Sequence, residues 1–400
     1  MTTQLTSRDA QQAPVRQNFL PFCQPDIGPL EISEMVDTLR SGWITTGPKT
    51  KELERRFAEY VGTRHAIAVN SCTGGMHVAL AAAGIGPGDE VVVPTMTFCA
   101  TANVVAHLGA TPVIVDVEPD TLNINPQSLE AAVTLQTKAV IPVHLYGHPC
   151  DMDRINEIAE IHRLLVVEDA AHAVAAEWHG RRVGTLSPAT AFSFYATKNL
   201  TTAEGGMITT DDDEYAEQMR IWALHGISRD AWKRYSAEGS WYYEVSVPGF
   251  KYNLTDLQAA LGLHQLARLE AMTQRRTELA VRYQAGLCDL PEIELPTVRP
   301  GIRHAWHLYV IRLRLERLKI NRAEFIEHLK AEGIGTSVHF IPLHRQPYYR
   351  DRFGFQHADF PVADAAYQRL ISLPLYTRMT EQDIDDVIET VRRVVQRHRW

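Results

Sequence analysis

The chain reads as an α/β fold, with a large domain built on a mostly parallel seven-stranded sheet and a smaller C-terminal α+β domain. Three observations predict it. Seven short β-branched runs, "HAIAVNS", "EVVVP", "TPVIVDV", "KAVIPVH", "RLLVVEDA", "TAFSF" and "GGMITT", recur between residues 65 and 210, bounded by Gly, Pro, Asp or Asn. Helical stretches such as "GGMHVALAAAG" and "DRINEIAEIHR" lie between several of them, and near-continuous apolar strands alternating with helices imply a parallel sheet covered on both faces. Finally, 400 residues at 45% hydrophobic content suffice for one large core and a smaller appended one.

Taken in order, residues 1–18, "MTTQLTSRDAQQAPVRQN", read as a disordered tail without the apolar segment of an export signal. Next, "GPLEISEMVDTLRSG" has apolar positions at helical spacing and stops at Gly42, before the loop "WITTGPK". The large domain is expected over residues 19–262. A long helix from about Thr255 to Gly286 closes it, with residues 263–290 as a connecting helix. Residues 291–400 form the small domain, with a strand in "AWHLYVIRL", a helix in "NRAEFIEHLKAEG", a strand in "TSVHF" and a terminal helix near "TEQDIDDVIETVRRVVQ".

Composition excludes several functions. A net charge of −8 without long basic runs leaves no electrostatic footprint for nucleic acid or an anionic membrane. No stretch approaches the ~20 apolar residues of a membrane span. The five cysteines are scattered, without zinc-like pairing or a disulfide framework, so a reducing, cytoplasmic setting is expected. His144, His148 and Cys150 share a Gly/Pro loop but lack a zinc-like partner set, and no metal is expected.

In open parallel sheets ligands bind at the carboxyl ends of strands, and four of those ends carry chemistry. After "HAIAV", the turn "NSCTGGMH" offers backbone N–H groups and the Ser71 and Thr73 hydroxyls at a helix N-terminus, a cradle for phosphate or equally an ordinary N-cap. After "EVVVP", Phe98 either covers a flat ligand or belongs to the core. After "RLLVV", "EDAAHA" puts an acid pair at the end of an apolar strand, where a buried carboxylate needs a partner. "FSFYATKN" then delivers Ser193 and the isolated Lys198.

Together these parts suit pyridoxal 5'-phosphate. That cofactor needs a lysine for its aldehyde, a carboxylate for its ring nitrogen, a stacking group and a phosphate cradle. A free lysine is protonated at neutral pH, so the site must depress its pKa, which an apolar and hydroxylic surrounding does.

The order of "GWITTGPK", "NSCTGGMH", "GATPVIVDV", "KAVIPVHLYG", "EDAAHA", "FSFYATKN", "AEGG", "KYNLTD" and "HAWHLYVI" resembles the pyridoxal-phosphate-dependent nucleotide-sugar aminotransferases of the DegT/DnrJ/StrS family. The resemblance covers nearly the whole chain. It implies fold type I and a homodimer with shared active sites. It also implies that Lys198 bonds to the cofactor aldehyde, Asp169 pairs with the ring nitrogen, His172 helps fix the cofactor and Phe98 stacks on the ring. Thr73, Gly74 and Ser193 would hold the phosphate, and Asn253 would reach the phosphate in the partner subunit. Trp43, Thr45 and Thr46 would line the sugar end, with Lys251 and His339 facing the sugar or diphosphate.

The implied reaction passes the amino group of L-glutamate, leaving 2-oxoglutarate, to a keto sugar on a nucleotide diphosphate. The 4-keto position is expected, and within the family the text is similar to members that aminate a UDP-linked 4-keto pentose for lipid A. Two other readings stand beside it: amination of a 3-keto or free keto sugar or cyclitol, and a non-catalytic regulatory protein on the same scaffold.

Overall fold

The structure, a computed structural model, describes residues 15–227 and 242–400. Residues 1–14 of the tail lie outside them. Val15 and Arg16, assigned to that tail, are tied to the small domain: the Val15 N–H donates to the Glu332 carboxylate at 2.9 Å, and Arg16 pairs with Asp383 and Asp386 at 2.7 and 2.6 Å.

The seven expected strands form one sheet, in the order His65–Val69, Gly206–Thr210, Ala189–Ser193, Leu165–Asp169, Thr137–Val140, Glu90–Pro94 and Thr111–Val115. Gly206–Thr210 runs antiparallel to both its neighbours, and the other pairings are parallel. Val91, Val92, Val93, Val167, Ala189 and Ala191 are fully buried, as strands with helices on both faces require. The strands ending at Val69, Pro94, Asp169 and Ser193 therefore open to one edge of the sheet. Gly206 sets the spacing there. A Cβ on it would stand 2.6 Å from the Ser71 carbonyl carbon and 2.7 Å from the Cys72 nitrogen, so only glycine lets the Ser71 turn rest on this strand.

One helix, Asp256–Leu287, runs unbroken through the boundary expected at residue 262, started by a Thr255/Gln258 capping box. Its first turns bury Ala259, Leu263 and Leu266 in the large core; Leu279, Tyr283 and Leu287 pack later with Ile384, Val387 and Val391 of the terminal helix, Glu381–His398. Tyr309–Leu313 is the central strand of the small sheet, between Ile293–Glu294 and Leu370–Leu373.

"TSVHF" is not a strand. Its backbone pairs with Leu370–Leu373 at one bridge, the reciprocal Ser337 and Ser372 bonds at 3.2 and 2.8 Å. Beyond them its backbone turns to the large domain: the Tyr146 hydroxyl donates to the His339 carbonyl, and the Leu343 N–H to the Thr95 carbonyl at 2.8 Å. That sheet position is filled by Leu370–Leu373.

A remote carboxylate locks the "WITTGPK" loop. The helix Pro48–Val61 starts after Gly47, which has no side chain to cap it. Asp256, 2% exposed, does so instead. It accepts from the N–H groups of Gly47, Lys49 and Thr50 at 2.8, 3.1 and 2.9 Å, and from the Thr50 hydroxyl at 2.7 Å. The negative group also meets the positive end of the helix dipole.

Asp256→Ala should lower unfolding free energy by about 1–3 kcal/mol, the cost of stranding buried donors, and Asp256→Asn by less because three of the four bonds fall on Oδ1. Urea denaturation measures both, and equal losses would show that the bonds to Oδ1 are not what matters.

Candidate active site

The turn after Ala189–Ser193 carries Lys198, partly buried beside the hollow lined by Gln24, Pro25, Asp26, Thr197 and Asn199. Loss of hydration lowers its pKa to about 8, against the opposing pull of Asp169 and of the Cys72 and Cys23 sulfurs. About a tenth of this amine is therefore uncharged at pH 7, far more than for an ordinary lysine, as a nucleophilic lysine requires.

Asp169 ends the adjoining strand, 4% exposed. Its Oδ2 accepts from the Thr101 hydroxyl at 2.8 Å and its Oδ1 from the Ala171 N–H at 3.1 Å. The Cys72 sulfur lies 3.7 Å from Oδ1, nearer its own acceptor, the Ala191 carbonyl, at 3.3 Å. Among the described residues no cation comes within ion-pair distance of this carboxylate. Glu168, the other half of the acid pair, faces the opposite side of the sheet, bound to His144 at 2.6 Å, Ser187 at 2.6 Å and Thr190 at 2.8 Å. Strand alternation thus gives one acid to the site and one to the core.

His172 is buried and its pKa lies well below the ordinary value because of that burial and the nearby Lys198. Its Nδ1 accepts from the Tyr146 N–H at 3.1 Å, so the neutral ring carries its proton on Nε2. Phe98 is 58% exposed and is not a core residue. Its ring stands 5.8 Å from Phe340, which stacks on His172 at 5.7 Å. His339 has its pKa lowered to about 4 by burial and by Lys198, and its Nδ1 meets the Ser372 hydroxyl at 2.8 Å.

Thr73 and Gly74 open the helix Cys72–Ala82, where the Gly74 N–H already donates to the Ser71 capping oxygen at 2.9 Å. Ser193 pairs in register with Gly206, and Gly206 with Val69, so the turn and the serine share one end of the sheet.

The remaining expected residues form a second cluster. The Asn253 amide donates to the Thr46 hydroxyl at 2.6 Å, Lys251 bonds to the Asn253 oxygen, and the Trp43 indole N–H donates to the Thr46 carbonyl at 3.0 Å. The Thr45 carbonyl accepts from the Asp256 N–H at 3.0 Å. This cluster abuts the Ser71 turn through a bridge between Val69 and Asn253 and the bond from the Asn70 N–H to the Tyr252 carbonyl at 2.7 Å.

The sequence reading missed four residues. Asp256 and His307 sit inside quoted motifs and Thr101 three residues after Phe98, while Phe340 had no signal because its segment read as a strand. The His307 ring centre lies 4.4 Å from that of His172, and among the described residues its Nδ1 has no hydrogen-bond partner. As for metals, His144 and His148 are spent on local bonds. Among the described residues His344, His357 and Asp364 do come together. However, the Arg345 guanidinium occupies Asp364 Oδ1 at 2.6 Å, which makes the group an ion-pair cluster.

The residues present fit pyridoxal phosphate. A buried carboxylate without a counter-ion is costly, and a protonated ring nitrogen supplies one; a lysine of lowered pKa and an uncovered aromatic face stand at the same strand ends.

Comparison with known proteins agrees. Residues 25–392 match the DegT/DnrJ/EryC1/StrS aminotransferase family. The chain is 55% identical over 382 residues to the spore coat polysaccharide biosynthesis protein SpsC of Bacillus subtilis, covering 95% of this chain and 98% of that protein. Its fold matches a putative sugar aminotransferase of Streptococcus pneumoniae in its PMP form, with TM-score 0.89 and 39% identity, over 94% of this chain and 99% of that one. It also matches DesI in the presence of its TDP-sugar product, with TM-score 0.85 and 32% identity, over 96% and 94%.

In cofactor-free protein, the amine of Lys198 should react with trinitrobenzenesulfonate at a rate that rises through pH about 8, and this phase should vanish in Lys198→Ala. Below the unfolded value of 10.5 and above the folded one, the unfolded chain holds the extra proton, so stability should rise with pH across that window. Lys198→Met should remove that slope in denaturation profiles; an unchanged slope would contradict the lowered amine.

Proposed function

The chain belongs to the DegT/DnrJ/EryC1/StrS aminotransferase family, and from that premise we propose that it moves the amino group of L-glutamate onto the 4-keto group of a nucleotide-diphosphate sugar. The activity is that of a pyridoxal-phosphate-dependent aminotransferase. The product would be a 4-amino sugar for surface glycan, lipid A or secondary-metabolite glycosylation. One observation carries the reading: the Lys198 amine, with its pKa lowered to about 8, shares strand ends with the Asp169 carboxylate, which has no cation at ion-pair distance among the described residues. The similarity to a protein solved with a TDP-sugar product supports a nucleotide-linked acceptor, and SpsC supports a polysaccharide setting.

When bound, pyridoxal phosphate supplies an aldehyde that takes up amines and a protonated ring that accepts the electron pair left at the substrate carbon. The chain's residues do the rest. Lys198, uncharged in part, takes the proton from the donor carbon and returns it nearby as general base and acid. Asp169 keeps the proton on the ring nitrogen. His172 offers its Nε2–H, because Nδ1 is occupied by the Tyr146 N–H. Phe98 covers the ring, and Thr73, Gly74 and Ser193 hold the phosphate. Trp43, Thr45, Thr46, Lys251 and His339 bound the sugar and diphosphate end.

We further infer a homodimer in which Asn253 reaches the partner's phosphate site. The helix Pro29–Ser41 and the loop after it leave Leu30, Ile32, Val36, Leu39, Trp43 and Ile44 exposed, with Ile32, Val36 and Leu39 on one side of the helix, and exposed apolar groups gathered on one element are of the kind that marks protein interfaces.

Holoenzyme with glutamate and a panel of UDP-, dTDP- and GDP-linked 4-keto sugars should yield 2-oxoglutarate and an amino sugar identified by mass, and Lys198→Ala should yield neither. Turnover of free keto sugars or cyclitols without a nucleotide would redirect the assignment, and no transfer to any acceptor would favour a regulatory role. For the dimer, Val36→Glu with Leu39→Glu should halve the mass seen by sedimentation and abolish turnover; an unaltered mass would place the interface elsewhere.

A further inference from the structure

Asp169 is aimed by hydroxyls that do not themselves face the reacting atoms. The Thr101 oxygen lies 2.8 Å from Asp169 Oδ2, 2.7 Å from the Thr97 oxygen and 3.2 Å from the Phe98 carbonyl. It has one proton to give. The Phe98 carbonyl and the carboxylate only accept, and a hydrogen bond to a charged acceptor is roughly twice as strong as one to a neutral group. The proton therefore goes to Asp169. The Thr101 oxygen is then the acceptor for Thr97, whose hydroxyl must point the same way. Two O–H dipoles line up on one carboxylate oxygen while the Ala171 N–H holds the other. All of this is dry: Thr97 is 1% exposed and Thr101 0%.

We propose that Thr97 and Thr101 form a directional relay of two hydroxyls that positions Asp169 for the cofactor ring, with Thr101 as the positioning residue and Thr97 as its orienter. The proposal rests on the reading that Asp169 meets the ring nitrogen. Without the relay the carboxylate can turn about its side-chain bonds, held at one oxygen only. The relay also ties the ring's two supports together. Thr97 precedes Phe98, and the Thr101 N–H donates to the Phe98 carbonyl at 3.3 Å, so the loop that presents the aromatic face also aims the carboxylate. Short bonds in a water-free setting are worth more than exposed ones.

The test compares Thr101→Val, Thr101→Ser, Thr97→Val and Asp169→Asn. Each is read by the Kd of the cofactor-free protein for pyridoxal phosphate, by kcat and KM for the keto sugar, and by the Tm of the cofactor-free protein. Removing a hydrogen bond to a charged group is worth about 10- to 100-fold, so Thr101→Val should weaken cofactor binding and lower kcat by about that factor. KM for the sugar should stay within about twofold, because the change lies outside the sugar end. Thr101→Ser should restore most of the loss, and Thr97→Val should lose less, in the same direction. If Thr101→Val binds the cofactor as wild type does while Asp169→Asn does not, the relay is wrong and the reading of Asp169 survives. A Thr101→Ser variant as poor as Thr101→Val would show that the methyl group, not the hydroxyl, matters, and would also overturn it. Wild-type binding by Asp169→Asn would remove both. Should Thr101→Val fail to fold, Thr97→Val and Thr101→Ser still decide the matter.

Discussion

An amine and a carboxylate share the strand ends without pairing, and the rest of the site is arranged to keep them so. A Lys198–Asp169 ion pair would hold the lysine proton and leave the carboxylate satisfied, with nothing left to offer a ring. Instead Asp169 is turned toward neutral donors, Thr101 and the Ala171 N–H, while Lys198 is set in a poorly hydrated turn where its charge is disfavoured. Each is left wanting in the way a cofactor with an aldehyde and a basic ring nitrogen can meet. Histidines around them obey the same constraint: burial holds His172 and His307 well below the ordinary value, and His339 down to about 4. No second cation competes for Asp169 from those rings near neutral pH.

That arrangement needs a rigid frame, and the frame is made at a distance. Gly206 allows the Ser71 turn to rest on the sheet. Asp256 gathers the start of the helix Pro48–Val61 and so fixes the loop carrying Trp43, Thr45 and Thr46. The same residue begins the long helix that carries the small domain, so the Trp43 loop and the domain that brings His339 to Lys198 are fastened at one point. The unexpected path of "TSVHF" follows from this geometry. Its backbone gives up a sheet position and takes partners on Tyr146 and Thr95, which places Phe340 between Phe98 and His172.

What the sequence disclosed follows from how each signal arises. Every strand of the large sheet was legible because burial on both faces leaves uninterrupted β-branched runs. Lys198 and Asp169 were legible because they interrupt such runs at their carboxyl ends. Tertiary decisions were not. Whether Glu168 or Asp169 faces the site depends on the phase of one strand, and "EDAAHA" states only that two acids are present. Phe98 had a core reading and a surface reading with identical text; only its exposure separates them. Phe340 and Thr101 act through neighbours 242 and 68 residues apart in sequence, and no local pattern encodes such meetings. "TSVHF" failed for a related reason: its alternation is strand-like, but its hydrogen bonds are claimed by another domain.

Within one subunit the second cluster bears on the logic of the whole. Lys251 bonds to Asn253 and Asn253 to Thr46, beside the strand that leads into the Ser71 turn. Next to them lie exposed apolar side chains at Trp43 and Ile44. Polar groups that satisfy one another at the margin of an apolar surface are not spent on the core. A second copy seated on that surface would exclude water from the cluster and strengthen its bonds, since the same contacts weigh more in a drier setting. Closure of the sugar end and assembly would then be one event, with Asp256, which pins both the loop and the long helix, as the hinge between fold and function.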